Sequence, residues 1–311
     1  MNINGIDIAP GEQNSIKISV GQLPSGTRIS IHAHIYRSAE PGPTMLVLGG
    51  VHGDEINGVE IIRRAVDDGL FEQLTKGNVI AIPLLNIYGF INFSRDVPDG
   101  KDVNRSFPGS TSGSLASRVA RTITKKILPL VDFGIDFHTG GRSLYNYPQV
   151  RFTRNHAESE QLAMDFGAPF ALGMGTIAKS LRRTALDLEK PIIVFEGGES
   201  LRYDSMAIQK GLSGLHRVLA RREMIKSEAK AANTEVFKKT TWIRAEKAGM
   251  FLWIKCSGNK VEKGDVIGQI NGPYGKSNTI WVKAKESGII IGHNNAPVVS
   301  QGDALFHIAY E

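Results

Sequence analysis

His52 and Glu55 lie three residues apart in the stretch GGVHGDEINGVE, residues 49–60, directly after the apolar run Met45–Leu48. A histidine and a carboxylate one turn apart at the start of a helix can face a single point. Two more polar groups follow apolar runs: His138 after FGIDF and Glu196 after PIIVF. Two neutral imidazoles and one carboxylate form the His₂Glu donor set of catalytic zinc sites, which keep a fourth position for water. Zinc held in this way lowers the pKa of its water toward about 7 and polarises a carbonyl oxygen. A separate carboxylate must then move protons, and Glu196 is the candidate. The expectation is one Zn²⁺ per chain on His52, Glu55 and His138. Each piece alone has a plainer reading. Glu55 can favour a helix N-terminus through the dipole, His138 can be a satisfied core histidine, and Glu196 can be a loop carboxylate beside Gly197 and Gly198. The metal is favoured because the polar groups follow three separate apolar runs.

A second group lies in SRDVPDGKDVNRSFP, residues 94–108. Arg presents a planar fork matched to a carboxylate, and Asn adds a neutral donor. Asn104 and Arg105 are therefore expected to bind a substrate carboxylate, and Arg95 to steady an oxyanion beside the metal. The segment also reads as a surface turn with solvated charges. SLRRTALDLEKP adds Arg182 and Arg183, either as a further anion contact or as solvated helix residues. His32 and His34 share one face of a strand without a carboxylate or thiol partner, and His156, His216, His293 and His307 are isolated in sequence.

Elements of alternating type must position these groups. Ile29–Tyr36, Thr44–Gly49, Asn78–Leu85, Phe133–Phe137 and Pro191–Phe195 read as strands. Apolar residues at Ile56, Val59, Ile62 and Val66 give helical spacing over Glu55–Asp68. Leu115–Leu128, Glu158–Phe166 and Asp204–Arg222 are the other expected helices. Strands alternating with helices imply an α/β fold with a mixed, largely parallel sheet flanked by helices. Ligand sites of such sheets form at the carboxyl ends of strands. Loops at Gly140–Tyr147 and Ile177–Arg183 are expected to set the depth of the pocket. Beyond a Lys/Glu/Ala-rich connector come short β-like runs with glycine turns, so the division expected is a catalytic domain over 1–235 and a small all-β domain over 236–311.

The bulk of the sequence is compatible with this. The 311 residues are 41% hydrophobic and 22% charged, enough for a large core and not a disordered composition. The net charge of +6 suits an anionic substrate, and no Lys/Arg block resembles a nucleic-acid footprint. Cys256 is the one cysteine, so no internal disulfide and no thiolate zinc site can form. The N-terminus MNINGIDIAPGEQ lacks the pattern of a signal peptide, and no apolar run approaches the roughly 18 residues of a membrane span. A cytoplasmic protein is expected, with self-association into a homo-oligomer left open.

Taken together, GGVHGDEINGVE, DVNRSFPG, DFHTGG and FEGGE resemble the succinylglutamate desuccinylase/aspartoacylase family, a branch of the zinc carboxypeptidase A-like fold. They occur in the family's order and span about residues 40–200. The resemblance implies that His52, Glu55 and His138 hold zinc and that Glu196 is the general base. It implies that Asn104 and Arg105 bind a free carboxylate, that Arg95 polarises the scissile carbonyl and that Arg182 contacts a substrate anion. A family Tyr has its nearest counterpart in Tyr274, within NGPYGK. The small β module is usual in the family and resembles a biotinyl/lipoyl-like barrel-sandwich, without the Met-Lys-Met of an attachment site. The implied activity is deacylation of an N-acyl amino acid. HGDEINGVEIIRR also resembles a subgroup of carboxypeptidases that trim acidic tails, which keeps a metallocarboxypeptidase open. A non-catalytic carboxylate-binding protein is the third alternative.

Overall fold

Four apolar runs become the parallel centre of one long mixed sheet. In spatial order they are Ile192–Glu199, Phe133–Gly140, Glu40–Leu48 and Lys76–Ile82. The structure, a computed structural model, describes residues 1–22, 25–275 and 278–311. On one flank Arg28–Arg37 and then Gln13–Gln22 add antiparallel strands. On the other, Leu144–Thr153 lies antiparallel to Ile192–Glu199.

Both faces of the centre are covered, so its runs are apolar without interruption and alternate residues enter opposite cores. Met45, Val47, Ile135, Phe137, Ile193 and Phe195 pack with Ile61, Phe166 and Leu215 from the helices Ile56–Asp67, Ala157–Phe166 and Ser205–Arg221. Leu46, Leu48, Ile80, Ile82 and Ile192 point the other way, against Val119 of Leu115–Thr122 and Leu181 of Leu181–Asp187. The same alternation puts Asp136 and His138 on the face opposite Phe137.

Several boundaries differ from expectation, each for a local reason. The strands expected to stop at Phe137 and Phe195 run on to Gly140 and Glu199. His138 and Glu196 therefore lie within strands, directly paired across them, because the parallel ladder continues beneath the polar side chains. The strand expected through Leu85 stops at Ile82, before Pro83. The helix expected over Leu115–Leu128 ends at Thr122 and continues as a wider turn, Ile123–Ile127, and a tight one, Leu128–Leu130, whose Pro129 lacks the N–H to extend it. The loop expected over Gly140–Tyr147 is a tight turn leading into the strand Leu144–Thr153. In the segment Ile177–Arg183, a helix begins at Leu181.

The C-terminal part is all β. Gly288–Asn294, Ala304–Tyr310 and Lys239–Arg244 prolong the large sheet, joined to it where Gly292 pairs with Asn146. A four-stranded antiparallel sheet packs over them around Phe251, Ile267, Ile270, Phe306 and Ile308. The sheet thus runs across residue 235, and a division there is a proposal about composition. No helix among the described residues is long and apolar enough to cross a membrane.

The helix Ile56–Asp67 approaches the strand Phe133–Gly140 closely because Gly58 has no side chain. A Cβ at Gly58 would stand 2.6 Å from Phe137 Cβ and 2.9 Å from its carbonyl oxygen. This contact sets Glu55, just before the helix, beside His138, just after Phe137. In Gly58→Ala, alanine's helix preference gains about 1 kcal/mol, but the clash involves strand backbone that cannot rotate away. Overpacking of this kind costs about 1–3 kcal/mol, so a lower urea midpoint is expected, measured on metal-free protein. A raised midpoint would show that helix and strand separate freely.

Candidate metal centre and active site

After Leu48 the chain turns through Gly49 and Gly50 into the loop His52–Glu55, where Glu55 N–H donates to His52 O at 3.2 Å. The loop is pressed against the helix Ile87–Ile91: a Cβ on Gly53 would lie 1.9 Å from Gly89 C. The helix proper begins at Ile56, so His52 and Glu55 face one point from a turn before it rather than from its first turn. Glu55 occupies the N-cap position but makes no capping hydrogen bond. Its carboxylate is turned to the histidines instead.

His52, Glu55 and His138 are buried, and one ligand atom from each lies within 4.8 Å of the others. Glu55 Oε1 is 2.7 Å from His52 Nδ1, and Oε2 is 2.8 Å from His138 Nδ1. Thr139 N–H donates to Oε2 at 3.1 Å. The outer nitrogens are anchored on carboxylates: His52 Nε2 on Asp102 at 3.2 Å and His138 Nε2 on Asp136 at 2.8 Å. A carboxylate on each Nε2 favours the tautomer with its proton there. The two Nδ1 lone pairs then face each other across 3.1 Å. Such a pair is repulsive unless positive charge lies between. The spacing is within a few tenths of an ångström of the about 3.4 Å between ligands of a tetrahedral ion with bonds near 2.1 Å. The donor set therefore fits a divalent ion.

The electrostatics point the same way. Burial opposes charge on both imidazoles, yet the Glu55 carboxylate and the Asp102 bond raise His52, and Asp136 with Glu55 raise His138 well above the usual imidazole range. Burial would push Glu55 up, but the two imidazoles hold it well below the usual carboxylate range. Asp102 is likewise depressed, through its bond to His52 and then Arg95, against its own burial.

Arg95 reaches the cluster. Its Nη1 donates to Glu55 Oε1 and lies 3.2 Å from both that oxygen and His52 Nδ1, while Nε and Nη2 donate to Asp102 Oδ2. Asn104 and Arg105 sit on the short turn Val103–Arg105, capped by Asp102, whose Oδ1 accepts Asn104 N–H at 2.7 Å. Asn104 Oδ1 accepts Leu181 N–H. Arg105 is exposed and donates to Asn104 O. Arg182, on the helix Leu181–Asp187, is 8% exposed: Nη2 donates to Gly175 O at 2.7 Å, and buried Nη1 has no partner among the described residues. Arg183 pairs with Asp187 on the surface.

Glu196 is held at both oxygens, Oε2 by Asn146 Nδ2 and Oε1 by Arg151 Nη1, each at 2.9 Å. A cavity of about 250 Å³ is lined by all eight of the expected site residues together with Asp136, Asn146, Arg151, Ile177 and Trp242. Tyr274 is not among them; it is 98% exposed on the C-terminal module. Trp242 is the aromatic residue there, stacked on His307 with centroids 4.1 Å apart. Asp102, Asp136, Asn146, Arg151 and Trp242 were not found in the sequence. Asp136 carried a signal, since a residue two before His138 on a strand shares its face.

A model of the succinylglutamate desuccinylase/aspartoacylase catalytic domain matches residues 41–222. The N-alpha-acetyl-L-2,4-diaminobutyric acid deacetylase of Halomonas elongata is 28% identical over 288 residues, 86% of this chain and 82% of that protein. The product-bound ectoine utilization protein EutE (DoeB) of Ruegeria pomeroyi superposes with a TM-score of 0.88 at 22% identity, covering 98% of this chain and 96% of that one. A succinylglutamate desuccinylase/aspartoacylase from Rhodobacter sphaeroides gives 0.88 at 24% identity over 98% of each chain. The structural likenesses establish the fold. The matched segment spans more than half of the chain and holds every expected site residue, and the chain belongs to the succinylglutamate desuccinylase/aspartoacylase family.

Proposed function

We propose that the chain is a zinc-dependent hydrolase that deacylates small anionic N-acyl amino acids. The observation that carries this reading is the pair of carboxylate-anchored imidazoles with facing Nδ1 atoms 3.1 Å apart, Glu55 beside them and Glu196 on the neighbouring strand. Zinc on His52, Glu55 and His138 would supply Lewis acidity and a water that ionises near neutral pH.

The chain's own groups do the rest. Glu196 accepts the proton of the attacking water and returns it to the amide nitrogen as the C–N bond breaks, releasing a carboxylic acid and an amine. Asn146 fixes its orientation at one oxygen, and Arg151 holds the other in the resting site. Arg95, clamped by Asp102, offers Nη1 to the oxygen that gains charge. Asn104 keeps its amide donors, and Arg105, with Nη1 on Asn104 O, keeps its other donors for the carboxylate of the amino acid. The relative from Halomonas, a deacetylase of an N-acetyl amino acid, supports deacylation. Its substrate's amine is cationic near neutral pH, whereas Arg105 and Arg182 form no carboxylate ion pair here among the described residues. An acidic amino acid suits that balance better.

Glu196→Gln should keep its zinc, read by metal analysis, while kcat falls by about 10²–10⁴-fold. Near wild-type turnover would remove Glu196 from proton transfer. A hydrolysis screen of N-acyl amino acids and Glu-terminated peptides, with and without chelator, tests the class; chelator-insensitive cleavage would rule out the metal, and cleavage of peptides alone would make the chain a carboxypeptidase. Metal retention should also depend on pH in one direction. The carboxylates raise both imidazoles in the metal-free cluster, so protons begin to compete above the usual imidazole pKa of about 6.5. Zinc should be held at alkaline pH and released as pH falls through that range, and retention independent of pH from 5 to 8 would contradict the assignment.

A further inference from the structure

The inner wall of the cavity holds the guanidinium groups of Arg151 and Arg182 near the carboxylates of Glu196 and Asp136, and only Glu196 forms an ion pair with either among the described residues. Arg151 lies on Leu144–Thr153 opposite Val194, so the ladder makes it a diagonal neighbour of Glu196 on the adjoining strand. The register therefore imposes the ion pair between Arg151 Nη1 and Glu196 Oε1. Among the described residues, Arg151 Nε is buried without a partner, and so is Arg182 Nη1. Orphaned buried donors are costly and mark places where a ligand completes the bonding. Burial and the neighbouring Arg151 together pull Arg182 down to about 10, a sign that the two like charges crowd each other. Both oxygens of the Glu196 carboxylate are thus occupied, one by Arg151 and one by Asn146. This wall thus holds back Glu196 while it lacks an anion.

We infer that Arg151 is a positioning residue that restrains Glu196 in the resting site and is drawn off it by a second substrate carboxylate, received between Arg151 and Arg182, so that the base is freed only for substrates carrying that acid. The inference rests on the reading of Glu196 as general base. It makes recognition and proton transfer depend on one side chain, Arg151, beside the anion contact that the family resemblance already implies for Arg182. The acid can come from the amino-acid side chain or from the far end of the acyl group.

Matched substrates separate these cases in the metal-loaded full chain. N-acetyl-glutamate against N-acetyl-glutamine tests a side-chain acid, and N-succinyl-alanine against N-butyryl-alanine tests an acyl acid. In the wild type, kcat should favour the acidic member of one pair by about tenfold or more. In Arg151→Gln that kcat ratio should fall toward one, because the neutral substrate gains turnover, while KM for the acidic member rises; Arg151→Lys should restore part of the ratio. Equal loss of kcat for both members would make Arg151 a fixed support, and a change in KM alone would make it a simple anion contact; either result overturns the inference. If the wild type hydrolyses none of the four, the hydrolase reading fails, and a crystal structure with glutarate decides the rest. Arg151 turned from Glu196 onto glutarate is expected, and Arg151 still on Glu196 overturns it.

Discussion

Two imidazoles that turn their nitrogen lone pairs toward each other would not stay so unless something outside them forbade rotation. Here the outside constraint is a carboxylate on each outer nitrogen, Asp102 for His52 and Asp136 for His138. These two acids favour the proton on each outer nitrogen, and the Glu55 carboxylate adds the negative charge that makes a cation welcome in a buried place. The geometry of the sheet, the loop after Leu48 and the helix seated through Gly58 all serve to deliver these groups to one point.

Asp102 has the widest reach. One of its oxygens holds His52 and caps the turn bearing Asn104 and Arg105; the other clamps Arg95. The candidate metal ligand His52, the expected carbonyl-polarising group and the expected carboxylate-binding pair are thereby tied to a single side chain on a loop. Loops often carry function while the scaffold holds position, and the rigidity of this one comes from a charge shared three ways.

The legible parts of the sequence were those where a polar residue interrupts an apolar run. His138 and Glu196 stand out because everything before them belongs to a core, and His52 and Glu55 because they follow Leu48 through two glycines. The α/β class came from the same runs. What could not be read needed tertiary pairing. Leu144–Thr153 contains NYPQV, whose proline and polar residues mimic a loop, so Asn146 and Arg151 stayed hidden until the strand was seen wedged among three others. Trp242 enters the cavity from beyond residue 235, at a distance in sequence that no local pattern spans. Tyr274 was proposed from resemblance alone, with no spacing to support it, and it stands in solvent. The extra residues of the strands ending in Gly140 and Glu199 were missed because period-two alternation continues through polar side chains when these line a cavity.

The strand with Asn146 and Arg151 is flanked on one side by Ile192–Glu199; on the other, Phe170–Met174 covers residues 149–153, and Gly288–Asn294, which itself leans on Ala304–Tyr310, covers residues 144–146. During synthesis the first two neighbours emerge early and Gly288–Asn294 only near the end. At translation speeds of about 5–20 residues per second, part of this edge stays bare for on the order of ten seconds. A bare strand edge invites pairing with another nascent chain, and the late-arriving hairpin thus acts as a built-in guard as well as a wall of the pocket.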